Sequence, residues 1–65
     1  MDEEAFNMSM RKFLKQVGVT SQQKIEEAVR AANPDGPVRA RVVLTLEGLD
    51  MEHIVEGSIE TGAQE

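Results

Sequence analysis

Five consecutive residues near the middle of the chain, Asn33-Pro34-Asp35-Gly36-Pro37, interrupt any regular element that reaches them. Proline lacks a backbone N–H, and Asn, Asp and Gly favour turns. Before this segment the apolar residues recur at helical spacing, and after it they alternate with polar residues, which is the period of a β-strand. The sequence therefore predicts an α+β fold with a helical first half and a β second half.

The helical half contains an apolar stripe and then a possible stop. The stripe recurs at helical spacing and consists of Phe6, Met10, Phe13, Leu14 and Val17. Acidic residues precede this stripe and basic residues lie toward its end, which suits the helix dipole. We predict a helix over about 3–17, with Gly18 as its C-cap because glycine adopts a left-handed backbone easily.

A second helix is predicted over about 21–32. The segment Thr20–Gln23 has the form of a capping box, in which the Thr20 and Gln23 side chains satisfy free N–H groups at a helix start. The apolar residues that follow keep helical spacing: Ile25, Ala28, Val29 and Ala32. Because the connection after Gly18 is so short, we expect two helices that meet at an angle.

The second half predicts a β-hairpin with strands over about 38–46 and 51–60, joined by a turn at Glu47–Asp50. Closure at this turn sets apolar residues against apolar ones and a base against an acid. The expected cross-strand pairs are Leu46 with Met51, Val42 with Val55, Val43 with Ile54, and Arg41 with Glu56. Residues 61–65 have nothing to bury and are expected to fray.

These elements predict one domain over residues 1–65. A two-stranded hairpin is marginally stable in water, so its apolar face needs a cover. We therefore expect two N-terminal helices packed on one face of a C-terminal antiparallel β-hairpin, in the order helix-helix-strand-strand.

Composition narrows the possible functions and locations. The chain has 65 residues, a formal net charge of −5 and no cysteine, so we expect no disulfide, no cofactor and a cytoplasmic location. The second half carries the whole charge imbalance. Without a basic stripe, the chain is expected to bind neither nucleic acid nor a membrane. We expect no enzyme, because one histidine and scattered glycines supply neither a catalytic triad nor a phosphate loop.

His53 is the only histidine and the weak candidate for a metal or small-ligand site. Strand alternation places it on the inner, apolar face of the hairpin, whereas Glu52 and Glu56 point to the other face. A single imidazole without a second nitrogen or sulfur ligand is a poor transition-metal site. The rival interpretation is a half-buried histidine at the rim of the core.

The strongest functional feature is an apolar pair on the outer face of the hairpin. Val43 and Ile54 are expected to lie opposite one another there, flanked by Arg41 and Glu56. Two interpretations stay open: β-branched residues that satisfy strand propensity, or a docking surface for a protein partner or a second copy of the chain. The free strand edges offer a further route to pairing.

Two stretches resemble a known family. They are the segment Ala5–Gln23 and the segment Glu47–Gly57, which includes Glu47-Gly48-Leu49-Asp50, Glu52-His53 and Val55-Glu56-Gly57. Together they resemble a small family of bacterial proteins of about this length that is classed as a domain of unknown function. The resemblance weakens over Asn33 to Arg39. It implies a complete bacterial protein, and it brings no catalytic or binding residues.

Overall fold

A computed structural model of the protein describes residues 1–62, and it contains one helix and one β-hairpin. Helix α1 runs over Glu3–Ala32, strand β1 over Val38–Thr45 and strand β2 over Glu52–Ile59. The chain divides between Ala32 and Asn33 into a helical unit and a hairpin unit. The predicted α+β class and the helix-before-hairpin order are confirmed.

Helix α1 is capped at both ends by residues next to its boundaries. Asp2 is the N-cap: its Oδ1 accepts hydrogen bonds from the backbone N–H of Glu4 at 3.1 Å and of Ala5 at 3.2 Å. At the other end Asn33 adopts a left-handed backbone with φ of 50°, and Pro34 follows it. A left-handed Asn followed by Pro ends a helix, so the segment Asn33–Pro37 ends the helical half as predicted.

The prediction of two helices is wrong, because α1 continues through Gly18 and Thr20. Gly18 is not among the residues with positive φ, so it forms no C-cap. Thr20 does not act as an N-cap either: its hydroxyl donates to the carbonyl oxygen of Gln16, one turn back, at 2.8 Å. A helical glycine costs about 1 kcal/mol relative to alanine, which is less than a break costs in lost backbone hydrogen bonds.

The spacing of the apolar residues also suits one continuous helix. Phe6, Val17 and Ala28 recur at intervals of eleven residues, and Leu14 and Ile25 are separated by the same interval. Eleven residues correspond to about three turns, so positions related by this interval stay on one side of a straight helix. The two predicted stripes are therefore two halves of one apolar face.

The hairpin has the predicted register. Val42 pairs with Val55, Val43 with Ile54, and Arg41 with Glu56 in an antiparallel sheet of two strands. The strand ends lie within one residue of the prediction. In the connecting turn, Gly48 has φ of 80° and the backbone N–H of Leu49 donates to the carbonyl oxygen of Leu46 at 3.1 Å. Glycine is favoured at such a position, because a side chain there would be strained.

The segment after β2 was expected to fray over 61–65. Thr61 is half-buried, and its hydroxyl donates to the carbonyl oxygen of Gly36 at 3.0 Å. This hydrogen bond connects Thr61, two residues beyond β2, to the segment that leads into β1. Residues 63–65 lie outside the described part of the chain.

Side-chain burial is low in both units. Across residues 1–62 no side chain is buried, and the large apolar residues are half-buried or exposed. Isolated helices and isolated hairpins are both marginal in water, since most of their stability in proteins comes from packing of an apolar face. Further packing of the exposed apolar faces would therefore add most to the stability of these elements.

Candidate interaction surface on the hairpin

Strand alternation gives the hairpin two faces of different chemistry. The inner face carries the pairs Val38–Ile59, Ala40–Gly57, Val42–Val55 and Leu44–His53. The outer face carries the pairs Arg39–Ser58, Arg41–Glu56, Val43–Ile54 and Thr45–Glu52. Every charged strand residue therefore lies on the outer face, where an apolar pair stands out.

Val43 and Ile54 form the apolar centre of the outer face. They lie directly opposite each other in the sheet, and they are 45% and 43% exposed. Both are β-branched residues, whose stiff side chains lose little conformational freedom when a partner covers them. We call Arg41, Val43, Ile54 and Glu56 the outer-face patch; all four were predicted from the sequence.

Charged groups border this apolar centre on one side. The Arg41 Nε atom lies 3.4 Å from Glu56 Oε2, and the Arg39 Nη2 atom lies 3.6 Å from Glu56 Oε1. One carboxylate therefore joins two guanidinium groups. All three side chains are at least half exposed, so each ion pair contributes about 0–1 kcal/mol to stability. The cluster places two bases and one acid at one end of the apolar centre.

Arg39 is the member of this cluster that the sequence analysis missed. It lies two residues before Arg41 on the same face, and its Nη1 donates to the Ser58 hydroxyl at 3.4 Å. A diagonal contact between strands brings it to Glu56. Extending the predicted register by one more pair on the outer face would have identified it.

The sheet edges are a second feature of the hairpin unit. Within residues 1–62 the sheet consists of β1 and β2 alone, so each strand pairs on one side only. The other side of each strand presents backbone N–H and C=O groups that a further strand can bind. The hairpin therefore offers both a face and two edges for association.

His53 lies away from the outer-face patch. It pairs with Leu44 on the inner face and is exposed rather than half-buried as expected. In the described part of the chain, no group of three or more His, Asp or Glu residues comes together to hold a metal ion. The neighbouring carboxylate of Glu52 points to the opposite face of the strand, as predicted. The alternative site at His53 thus rests on one imidazole.

Over residues 1–62, helix α1 is not apolar enough along its length to cross a bilayer.

Comparison with known proteins gives one result. No curated protein and no solved structure matches the chain. A family model described as "Family of unknown function (DUF6494)" does match, and it covers residues 1–62. This match confirms the resemblance to a family of unknown function, and it includes both the helix and the hairpin. The chain therefore belongs to the DUF6494 family.

Proposed function

We propose that this protein is a non-enzymatic interaction module that binds another protein, or a second copy of itself, through the outer face or edge of its hairpin. The observation that carries the proposal is the exposed pair Val43–Ile54, set in register among charged residues. The alternative of a ligand or metal site at His53 has no comparable support.

The composition of the outer-face patch suits a protein partner. Protein interfaces combine an apolar centre with a polar rim, and arginine is enriched in them. Here Val43 and Ile54 supply the centre, and Arg41 with Glu56 supplies the rim. A partner that covers the pair gains apolar burial, and its polar groups can meet the charged rim.

Charge favours a protein over the other large partners. The formal net charge is −5, which opposes approach to a phosphate backbone or an anionic membrane. We therefore expect the partner to be a protein with an apolar spot and at least one acidic residue to meet Arg39 or Arg41. We also propose that the protein is cytoplasmic and uses no cofactor.

Replacing the apolar pair tests the proposal. We expect Val43→Thr with Ile54→Thr to weaken capture of the bound protein by roughly tenfold or more, because two apolar side chains lose burial energy. Threonine is β-branched, so the hairpin is retained. The measurement is quantitative affinity capture from the native cell extract, with untagged chain added to score self-association.

Val42→Thr with Val55→Thr is the matched control, since this pair lies on the inner face in the same register. Leu49→Thr, in the exposed turn, is a second control that leaves both faces intact. The controls should keep capture. Equal capture by the outer-face variant would contradict binding through the outer face and leave the strand edges as the binding surface. No binding by any form of the chain would contradict the proposal as a whole.

A further inference from the structure

Helix α1 carries an apolar face that the outer-face patch does not include. The large residues on this face, Phe6, Met10, Phe13, Leu14 and Ile25, are between 39% and 52% exposed. Because positions eleven residues apart stay aligned, the face runs along most of the helix without winding around it. Such a continuous face is suited to another long helix.

Side-chain size changes along this face. Its first half carries large residues such as Phe6, Met10 and Leu14, and its second half carries small ones such as Ala28 and Ala32. Two copies packed in antiparallel orientation set large residues against small ones toward both ends of the pair, and two large residues, Leu14 and Ile25, against each other nearer its middle. The resulting neighbours are Phe6 with Ala32, Met10 with Ala28, Leu14 with Ile25, and Val17 with Ser21. Large residues opposite small ones interdigitate well in helix packing.

Charge along α1 favours the same orientation. The helix begins with the acidic residues Glu3 and Glu4, has the basic pair Arg11 and Lys12 in its first half, and carries acids again at 26 and 27. A parallel pair sets the basic segments side by side. An antiparallel pair sets Arg11 and Lys12 at the same level along the helices as the acids 26 and 27 of the other copy. Lys12 points away from the contact, so the effect acts over several ångströms, and unlike charges at one level favour this orientation.

The inner face of the hairpin has side chains that suit the apolar residues of α1 but none that suit its bases. Its strand residues are apolar or small apart from His53, and none is an acid that could meet Arg11. A second copy covers the apolar face and brings acids to the level of Arg11 along the helix. Self-pairing of helices is also a common route to two-fold symmetric dimers.

We propose that α1 binds α1 of a second copy as an antiparallel pair, with its centre near Val19. This interface uses residues outside the outer-face patch and does not rest on the function proposed above. The two surfaces share no residue, so each can be tested by its own variants.

The cysteine-free sequence allows a direct test by disulfide cross-linking. Single variants Met10→Cys and Ala28→Cys are purified, mixed in equal amounts and oxidised, and the products are weighed by mass spectrometry. We expect the mixed dimer to form about tenfold faster or more than either single-variant dimer, since only the mixed pair is adjacent. Leu14→Cys with Ile25→Cys repeats the test at a second position.

Met8→Cys with Arg30→Cys is the matched control. These residues have the same spacing along an antiparallel pair but lie on the opposite side of α1, so their mixed dimer should form slowly. Rapid dimers of Met10→Cys with itself would show parallel helices and overturn the proposal. Equal, slow rates for every pair would also overturn it, by showing that α1 does not pair with a second copy through this face. The Val43/Ile54 variant should cross-link normally, which separates this result from the test of the outer-face patch.

Discussion

Leu14→Glu is expected to weaken self-association by a hundredfold or more. Leu14 lies on the apolar face of α1 and is exposed in the single chain. Burying a leucine side chain contributes about 1.5–3 kcal/mol, and a symmetric dimer contains the residue twice. Loss of both contributions raises the Kd by a factor of about one hundred or more. Sedimentation equilibrium of the variant and the native chain measures this change.

Met8→Glu is the control for this experiment. Met8 is exposed on the side of α1 that faces away from Leu14, and it undergoes a comparable change from an apolar residue to a carboxylate. Both substitutions insert a good helix former, so helix propensity does not separate them. The control should associate like the native chain. A similar loss in both variants would show that net charge, rather than the apolar face, governs association.

Val19→Pro is expected to destabilise the fold by about 3 kcal/mol or more, because proline in a helix interior removes a hydrogen bond and clashes with the preceding turn. Val19 lies near the middle of α1. In a structure of two helices that meet after Gly18, proline at this position would be tolerated. Urea unfolding at one fixed protein concentration, followed by far-UV circular dichroism, measures the difference.

Glu3→Pro provides the comparison. Glu3 is the first residue of α1, where proline is favoured because its missing N–H has no partner within the helix. The free energy of unfolding of the Glu3→Pro variant should stay within about 0.5 kcal/mol of that of the native chain. This allowance includes the loss of one acid from the first turn. If Val19→Pro is tolerated as well as Glu3→Pro, then one continuous helix is the wrong description of this chain.

The hairpin could be predicted in detail because several patterns agreed on one register. Apolar residues met apolar residues and Arg41 met Glu56 in that register, and a shift by one residue would have reversed both faces. The end of the helix was equally predictable, since Asn33 and Pro34 act through local backbone chemistry. Local chemistry and long-range pairing pointed to the same answer in this half.

The helical half was harder because its local patterns opposed its overall periodicity. Gly18 and Thr20 each favour a helix end, yet both are helical in α1. Glycine can be absorbed at a modest cost, and a threonine hydroxyl can donate to the preceding turn instead of capping. The interval of eleven residues between Phe6, Val17 and Ala28 was the pattern that favoured one helix.

The candidate surface could be predicted only in part. Val43, Ile54, Arg41 and Glu56 followed from the strand register. Arg39 was missed because its contact with Glu56 is diagonal, and pairing rules give direct partners first. What covers the apolar face of α1 could not be predicted from the sequence, since periodicity shows that a face is apolar and does not show its partner.

The central claim is that association with a second copy completes this fold, and thermal unfolding across protein concentrations tests it most directly. Ligand binding to the folded state alone raises stability by mass action, and a second copy of the chain acts as such a ligand. For a dimer of two chains of 65 residues, we expect the unfolding midpoint to rise by about 5 °C for each tenfold increase in concentration. A midpoint that stays constant over a hundredfold range of concentration would contradict the claim.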